Sequence, residues 1–304
     1  TPLYIAAFRG HTAIVEKLSK KEGIDVNQAD NKRQTPLLIA ACEGHTAIVE
    51  LLLEEESILV NQACESGLTP LYGVACRSHK AIVKKLLARK DIDVNRATKE
   101  GRTPLFIAAY QGHTAIVEKL LAKEGILVDQ AIYQGQTPLY AATCKGHTAI
   151  VEKLLAVKGI DANQAHEDGK TPLYAAAFHG HTAIVDMLLA KKRILVDETA
   201  LLTAVSQGHK EIVKKLLTKE GVDVNQASEN KISPLFAAAY HGHTAIVGRL
   251  LAKERILVNQ ATEYRRTPLF AAASRGDIVI VEKLLDKEGI DVNQADNEGR
   301  TPLY

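Results

Sequence analysis

Eleven histidines and four cysteines are the side chains of this 304-residue chain best able to hold a metal, move a proton or attack a substrate. Their spacing argues against all three. His11, His45, His79, His113, His147 and His181 follow one another at steps of 34 residues, and His209 and His243 continue the series after one shorter step. Such regularity places one histidine in each of several copies of a folded unit. Neighbouring copies stand about 8–10 Å apart when helices pack on helices, whereas zinc needs its ligands about 2.0–2.1 Å from one ion. The series therefore predicts histidines that build turns, and no metal site.

The cysteines obey the same arithmetic. Cys42, Cys76 and Cys144 occupy one place in the copies and Cys64 another, and a disulfide spans Cα atoms no more than about 7 Å apart. Thiols are expected. With no CxxC pair and no N-x-S/T sequon, they point to a reducing, intracellular setting, the cytoplasm. The chain also has no Gly-rich phosphate loop, no HExxH and no GxSxG. No catalytic residue, no cofactor and no enzymatic activity are expected.

Bulk composition narrows the partners. Lys and Arg number 38 against 36 Asp and Glu, a net charge of +2, so the whole-chain field recommends neither nucleic acid nor a membrane surface. No apolar run approaches the roughly 18 residues of a membrane span. With 46% apolar residues the chain is expected to fold.

The elements that position these residues come from an internal repeat. Thr-Pro stands at Thr1, Thr35, Thr69, Thr103, Thr137, Thr171, Thr267 and Thr301, with Ser-Pro at Ser233; a degenerate copy opens at Thr199-Ala200-Leu201. Eight repeats of 34 residues, a sixth of 28 and a stub at 301–304 account for the chain as one array over 1–304. Within a repeat, Thr1 caps a helix whose first residue is Pro2, Leu3, Ala6 and Ala7 face inward, and Gly10 stops it. A second helix is expected from Thr12 to Lys20, with Ile14, Val15 and Leu18 inward and Gly23 ending it. Ile24 to Ala29 alternates like an extended strand, and Asp30 to Gln34 turns the chain into the next copy. No copy buries its own apolar face, so stability comes from neighbours stacked in an elongated body.

Thr-Pro-Leu, Ala-Ala, Gly-His, Ile-Val, Leu-Leu and Val-Asn at these offsets resemble the ankyrin repeat along the whole chain. The resemblance implies an all-α solenoid of stacked helix-turn-helix repeats joined by β-hairpin-like loops. Three departures stand out. Tyr, Phe or Leu replaces the usual His after Thr-Pro-Leu, each repeat is one residue longer than usual, and the sixth lacks its hairpin. That last loss is expected to notch the row of hairpin fingers.

Comparing the copies separates forced positions from open ones. Eight of the fourteen aromatics follow Thr-Pro-Leu: Tyr4, Tyr72, Phe106, Tyr140, Tyr174, Phe236, Phe270 and Tyr304, a packing position. One turn later Phe8, Tyr110, Phe178 and Tyr240 alternate with Cys and Ser, so the core does not dictate that residue. The next column varies as well: Arg9, Glu43, Arg77, Gln111, Lys145, His179, Gln207, His241 and Arg275. In ankyrin proteins these two columns and the hairpin tips line a concave partner-binding groove. The resemblance therefore implies a binding surface of Phe8, Arg9, Arg77, Tyr110, Gln111, Lys145, Phe178, His179, Tyr240, His241 and Arg275, with Tyr133 and Tyr264 on the fingers. Its aromatic anchors and basic neighbours have the composition of binding hot spots. Arg102, Lys170, Arg266 and Arg300, just before Thr-Pro, add charge, and an acidic peptide or protein is the expected partner. The competing reading is a structural, elastic spacer whose variable columns drift.

A strict alternation runs through Asp25, Leu59, Asp93, Leu127, Asp161, Leu195, Asp223, Leu257 and Asp291. It reads as duplication of repeat pairs, or as a second, weak apolar contact line if the leucines face water. The chain opens on Thr1-Pro2-Leu3-Tyr4 and closes on Thr301-Pro302-Leu303-Tyr304, without an initiating Met or a polar capping repeat. A piece of a longer array, with weak head-to-tail self-association, is the expectation.

Overall fold

Thr-Pro starts helices here because the threonine hydroxyl supplies the bond that the first turn lacks. Thr103 Oγ1 accepts from the Phe106 amide at 3.1 Å and Thr137 Oγ1 from the Tyr140 amide at 3.1 Å, while Pro104 and Pro138 sit where no amide is needed. In repeat four the first helix runs Pro104–Gln111 and ends on Gly112, whose φ of 82° lets its amide turn back to the carbonyls of Ala108 and Ala109. The second helix follows at Thr114–Leu121. The structure, a computed structural model, describes residues 1–196 and 198–303. Tyr304 lies outside the described residues. Among them are eighteen helices, two per repeat, and no strand. The chain divides into two compact blocks, Thr1–Gly169 and Lys170–Tyr304, described here one at a time.

In each block the core runs along the repeats. Leu105, Ala108 and Ala109 of a first helix and Ile116, Val117 and Leu120 of its partner are wholly buried, and the small Ala-Ala pair lets one helix approach the next. Ile14 departs from expectation at 49% exposed, whereas its counterpart Ile48 is wholly buried. The difference is the missing neighbour, since Ile14 belongs to the first repeat. That second helix also ends at Ser19, short of Lys20 and well before Gly23.

Stretches such as Ile24 to Ala29 form no strand, for a local reason. The Asp25 carboxylate accepts from the Asn27 amide at 2.9 Å and the Gln28 amide bonds back to the Asp25 carbonyl, so the segment turns instead of extending. Backbone bonds pair the fingers at their tips, as in Glu65 N–H to the Lys32 carbonyl at 3.0 Å and Glu167 N–H to the Gln134 carbonyl at 3.1 Å. In the shortened sixth repeat a loop through Lys191 to Val196 leads to a helix at Glu198–Ser206, and Asp197 lies outside the described residues. A recess of about 690 Å³ borders Thr199, Leu202 and the next finger at Gln226 to Asn230.

Side-chain ladders tie consecutive repeats together. Asn95 donates Nδ2–H to the Gly125 carbonyl at 2.7 Å and accepts from the Leu127 amide at 2.9 Å; Asn27, Asn61 and Asn225 do the same one repeat onward. Repeat four carries Asp129 instead. It accepts from the Asp161 amide at 3.1 Å, but a carboxylate has no proton for the carbonyl of Gly159, the counterpart of Gly125, and its Oδ1 has no hydrogen-bond partner. Burial pushes the Asp129 pKa up, against its bond to Asp161. Asp129→Asn should therefore stabilise the protein by about 1 kcal/mol near neutral pH. A carboxyl whose folded pKa is raised favours the fold below its unfolded value near 3.8 and loses that contribution as pH rises through the folded pKa. The advantage of the Asn variant should accordingly shrink as pH falls through that window. Urea melts at pH 7 and pH 4 check it, and a gap of equal size at both would refute the assignment.

The Asp/Leu alternation also gains a physical meaning. The Asp units make the turn bond of Asp25, repeated at Asp93, Asp161, Asp223 and Asp291. Leu59, Leu127, Leu195 and Leu257 stand 54–65% exposed instead. Leu59→Asp with Leu127→Asp should add the missing bonds and stabilise the first block by about 0.5–1 kcal/mol per site. A thermal melt that fell for this double variant would show that the leucines hold the turn. Among the described residues, no helix is long and apolar enough to cross a membrane.

Candidate functional site

The histidine column fixes where the open columns point. His45 Nε2–H donates to the Phe8 carbonyl at 3.0 Å, His147 to Tyr110 at 3.1 Å, and His209 to Phe178 at 3.1 Å. Each bond crosses from one repeat to the last turn of the preceding first helix and holds the residue whose ring faces outward. The ninth repeat has Asp277 in place of the histidine. There Arg275 Nη1–H donates to the Tyr240 carbonyl at 3.2 Å, and Asp277 caps the next helix instead. Arg275, expected in the binding surface, is thus engaged in holding Tyr240.

In the first block the exposed rings lean on packed ones. Tyr110, 37% exposed, stacks on buried Phe106 with centroids 6.3 Å apart, and Lys145 Nζ lies 4.7 Å from the Tyr110 centroid on the outer side. Phe8 is partly covered by the Arg9 guanidinium at 5.6 Å, and Arg77 is paired with Glu43 at 3.0 Å. Gln111 is exposed beside Tyr110, and Tyr133, 73% exposed, stands on the finger closed by the Ile132 amide bond to Gln136.

The second block repeats the pattern and adds a recess. Phe178 stacks on Tyr174 at 6.1 Å and meets His179 edge-on at 4.9 Å; Tyr240 stacks on Phe236 at 6.0 Å and meets His241 edge-on at 5.1 Å. Burial, then the nearby His243 and Arg275, lower the His241 pKa, so this ring is neutral at pH 7. Tyr264 rises from the adjacent finger with the Arg266 guanidinium 5.9 Å from its centroid and 5.6 Å from that of Phe270. Between them opens a cavity of about 370 Å³, lined by Phe236, Tyr240, His241, Tyr264 and Arg266 among others.

The sequence reading counted Arg266 only as added charge beside the groove and Phe236 as packing; the geometry shows that this one arginine spans the rings of Tyr264 and Phe270. Burial raises the Cys42 pKa to about 11 and raises that of Cys144 as well, which disfavours the thiolate at these two positions.

Comparison with known families finds matches to models of ankyrin repeats in three copies over residues 1–64, 57–131 and 125–199, ankyrin repeats in many copies over 201–251, and a single ankyrin repeat over 264–297. Among solved structures, the human ASB11 ankyrin repeat domain is similar at 28% identity and a TM-score of 0.62, covering 74% of this chain and all of that one. EF0377, an ankyrin repeat protein, is similar in fold at 24% identity and a TM-score of 0.59, covering 63% of this chain and 98% of that one. The search of curated proteins returns no match.

Proposed function

This chain belongs to the ankyrin-repeat family, whose repeats generally mediate protein–protein interaction and are typically not enzymes, and from that premise we propose that it is a binding scaffold for an acidic peptide or protein segment in a cytoplasmic setting. The observation that carries the reading is the set of rings that the core does not require. Tyr110, Phe178, Tyr240 and Tyr264 stand 37–58% exposed, and Lys145 and Arg266 lie on two of them. Large amphipathic rings beside cations are the anchors that concentrate binding energy at interfaces, and cations on ring faces select for a partner of opposite charge. The surface comprises Phe8, Arg9, Arg77, Tyr110, Gln111, Tyr133 and Lys145 in the first block, and Phe178, His179, Tyr240, His241, Tyr264 and Arg275 in the second. The one-array organisation over 1–304 belongs to the same reading, and so do weak head-to-tail contacts through exposed Ile14 and Ile278.

Selection, on the immobilised protein, of a random displayed library of peptides about 16 residues long, enough at about 3.3 Å per residue to cross several repeats, tests it. Enrichment of Asp- and Glu-rich sequences is expected, with binding that weakens as salt rises. Enrichment of basic sequences, or none, would overturn the proposal.

A further inference from the structure

The second block carries two adjoining chambers that share one arginine. The first is the cavity of about 370 Å³ with apolar walls from Ile232, Phe236 and Tyr240, closed on the finger side by Tyr264. Thr262 also lines it, is only 7% exposed, and its hydroxyl oxygen has no hydrogen-bond partner. The second chamber, about 330 Å³, is lined by Arg266, Phe270, Ser274 and Arg300 with Ala273, Thr301 and Pro302, and among the described residues no acid lines it.

Buried Asp296 sets the charge there. Its carboxylate takes two bonds from Arg300, at 2.8 and 3.1 Å, and lies 3.5 Å from Arg266 Nε. Arg300 and the neighbouring amides hold its pKa down to about 2, so it stays ionised. One buried carboxylate thus holds Arg300 by hydrogen bonds and draws Arg266 by charge alone. Arg300 also pairs with Glu298, at 2.9 Å with its side chain 66% exposed. Glu298 is held on the solvent side, where an ion pair contributes little and an incoming carboxylate can displace it.

We propose that these chambers form a two-point site for an extended peptide, the apolar chamber taking an aromatic side chain and the Arg266–Arg300 chamber an acidic one. The chambers sit on consecutive repeats, a step of about 8–10 Å, and an extended chain advances about 3.3 Å per residue. The two determinants therefore lie about three residues apart in the ligand. This site rests on the acidic-segment reading above and gives it a residue pattern.

The test uses the full chain and two fluorescein-labelled hexapeptides, one with phenylalanine and a glutamate three residues on, the other with glutamine in place of the glutamate. Fluorescence anisotropy should show the glutamate peptide binding about tenfold more tightly. Ser274→Glu places a negative charge in the acid-free chamber at an exposed position and should erase that preference. Glu298→Gln removes the competing carboxylate and should widen it, a gain that misfolding cannot imitate. Equal affinity for the two peptides, no binding of either, or a preference untouched by both variants overturns the two-point site. If displayed acidic peptides are still enriched in that case, the broader groove reading stands and only this site falls.

Discussion

Replacing Tyr110, Phe178 and Tyr240 together with alanine is expected to weaken binding of a selected acidic peptide by about a hundredfold or more while leaving the helical fold in place. Interface anchors of this type cost about 2 kcal/mol or more each when truncated, and every 1.4 kcal/mol is about tenfold in affinity; three losses that overlap still exceed two decades. The rings contribute less to folding. Each stacks on one packed partner, Phe106, Tyr174 or Phe236, and such a pair adds only about 0.5–1.5 kcal/mol beyond its buried area. Titration calorimetry with far-UV circular dichroism checks both halves. Retained affinity would favour the spacer reading, in which these columns drift.

Gly112→Ala is expected to cost roughly 2–3 kcal/mol, through the turn that carries Tyr110. At φ 82° an alanine occupies the left-handed region, which costs about 1–2 kcal/mol. Its methyl would also fall 2.7 Å from His147 Cε1, displacing the ring that bonds the Tyr110 carbonyl and forfeiting about 1 kcal/mol more. Gly125→Ala separates the two causes. Its φ is 79° and nothing lies within 4 Å of an added methyl, so it should pay the backbone cost alone. Chemical denaturation of both variants reads the difference, and equal losses would remove the imidazole from the account.

The repeat made most of the fold legible. Thr caps, first-turn prolines and glycine stops recur at each boundary, so one copy predicted its neighbours. The extended reading of Ile24 to Ala29 failed because alternation of apolar and polar residues looks the same whether a strand or a side-chain-bonded turn produces it. Only the Asp25–Asn27 bond distinguishes them. Ile14 was placed inward by periodicity, which knows the face of a helix but not whether a neighbour covers it. The open columns were visible as variation between copies, and the rings of the first stand 37–55% exposed. Arg266 was visible only as a charge before Thr-Pro, because nothing in its spacing says which rings it reaches. Its guanidinium lies by Tyr264 and Phe270 and 3.5 Å from Asp296, thirty residues away in the chain.

Hydrogen–deuterium exchange of the full chain, with and without a selected acidic peptide, tests the central claim most directly. New protection should fall on the ends of the first helices and the fingers, at residues 104–112, 132–136, 234–242 and 262–266. Protection confined to the second helices, at 114–121 and 244–251, would contradict the account.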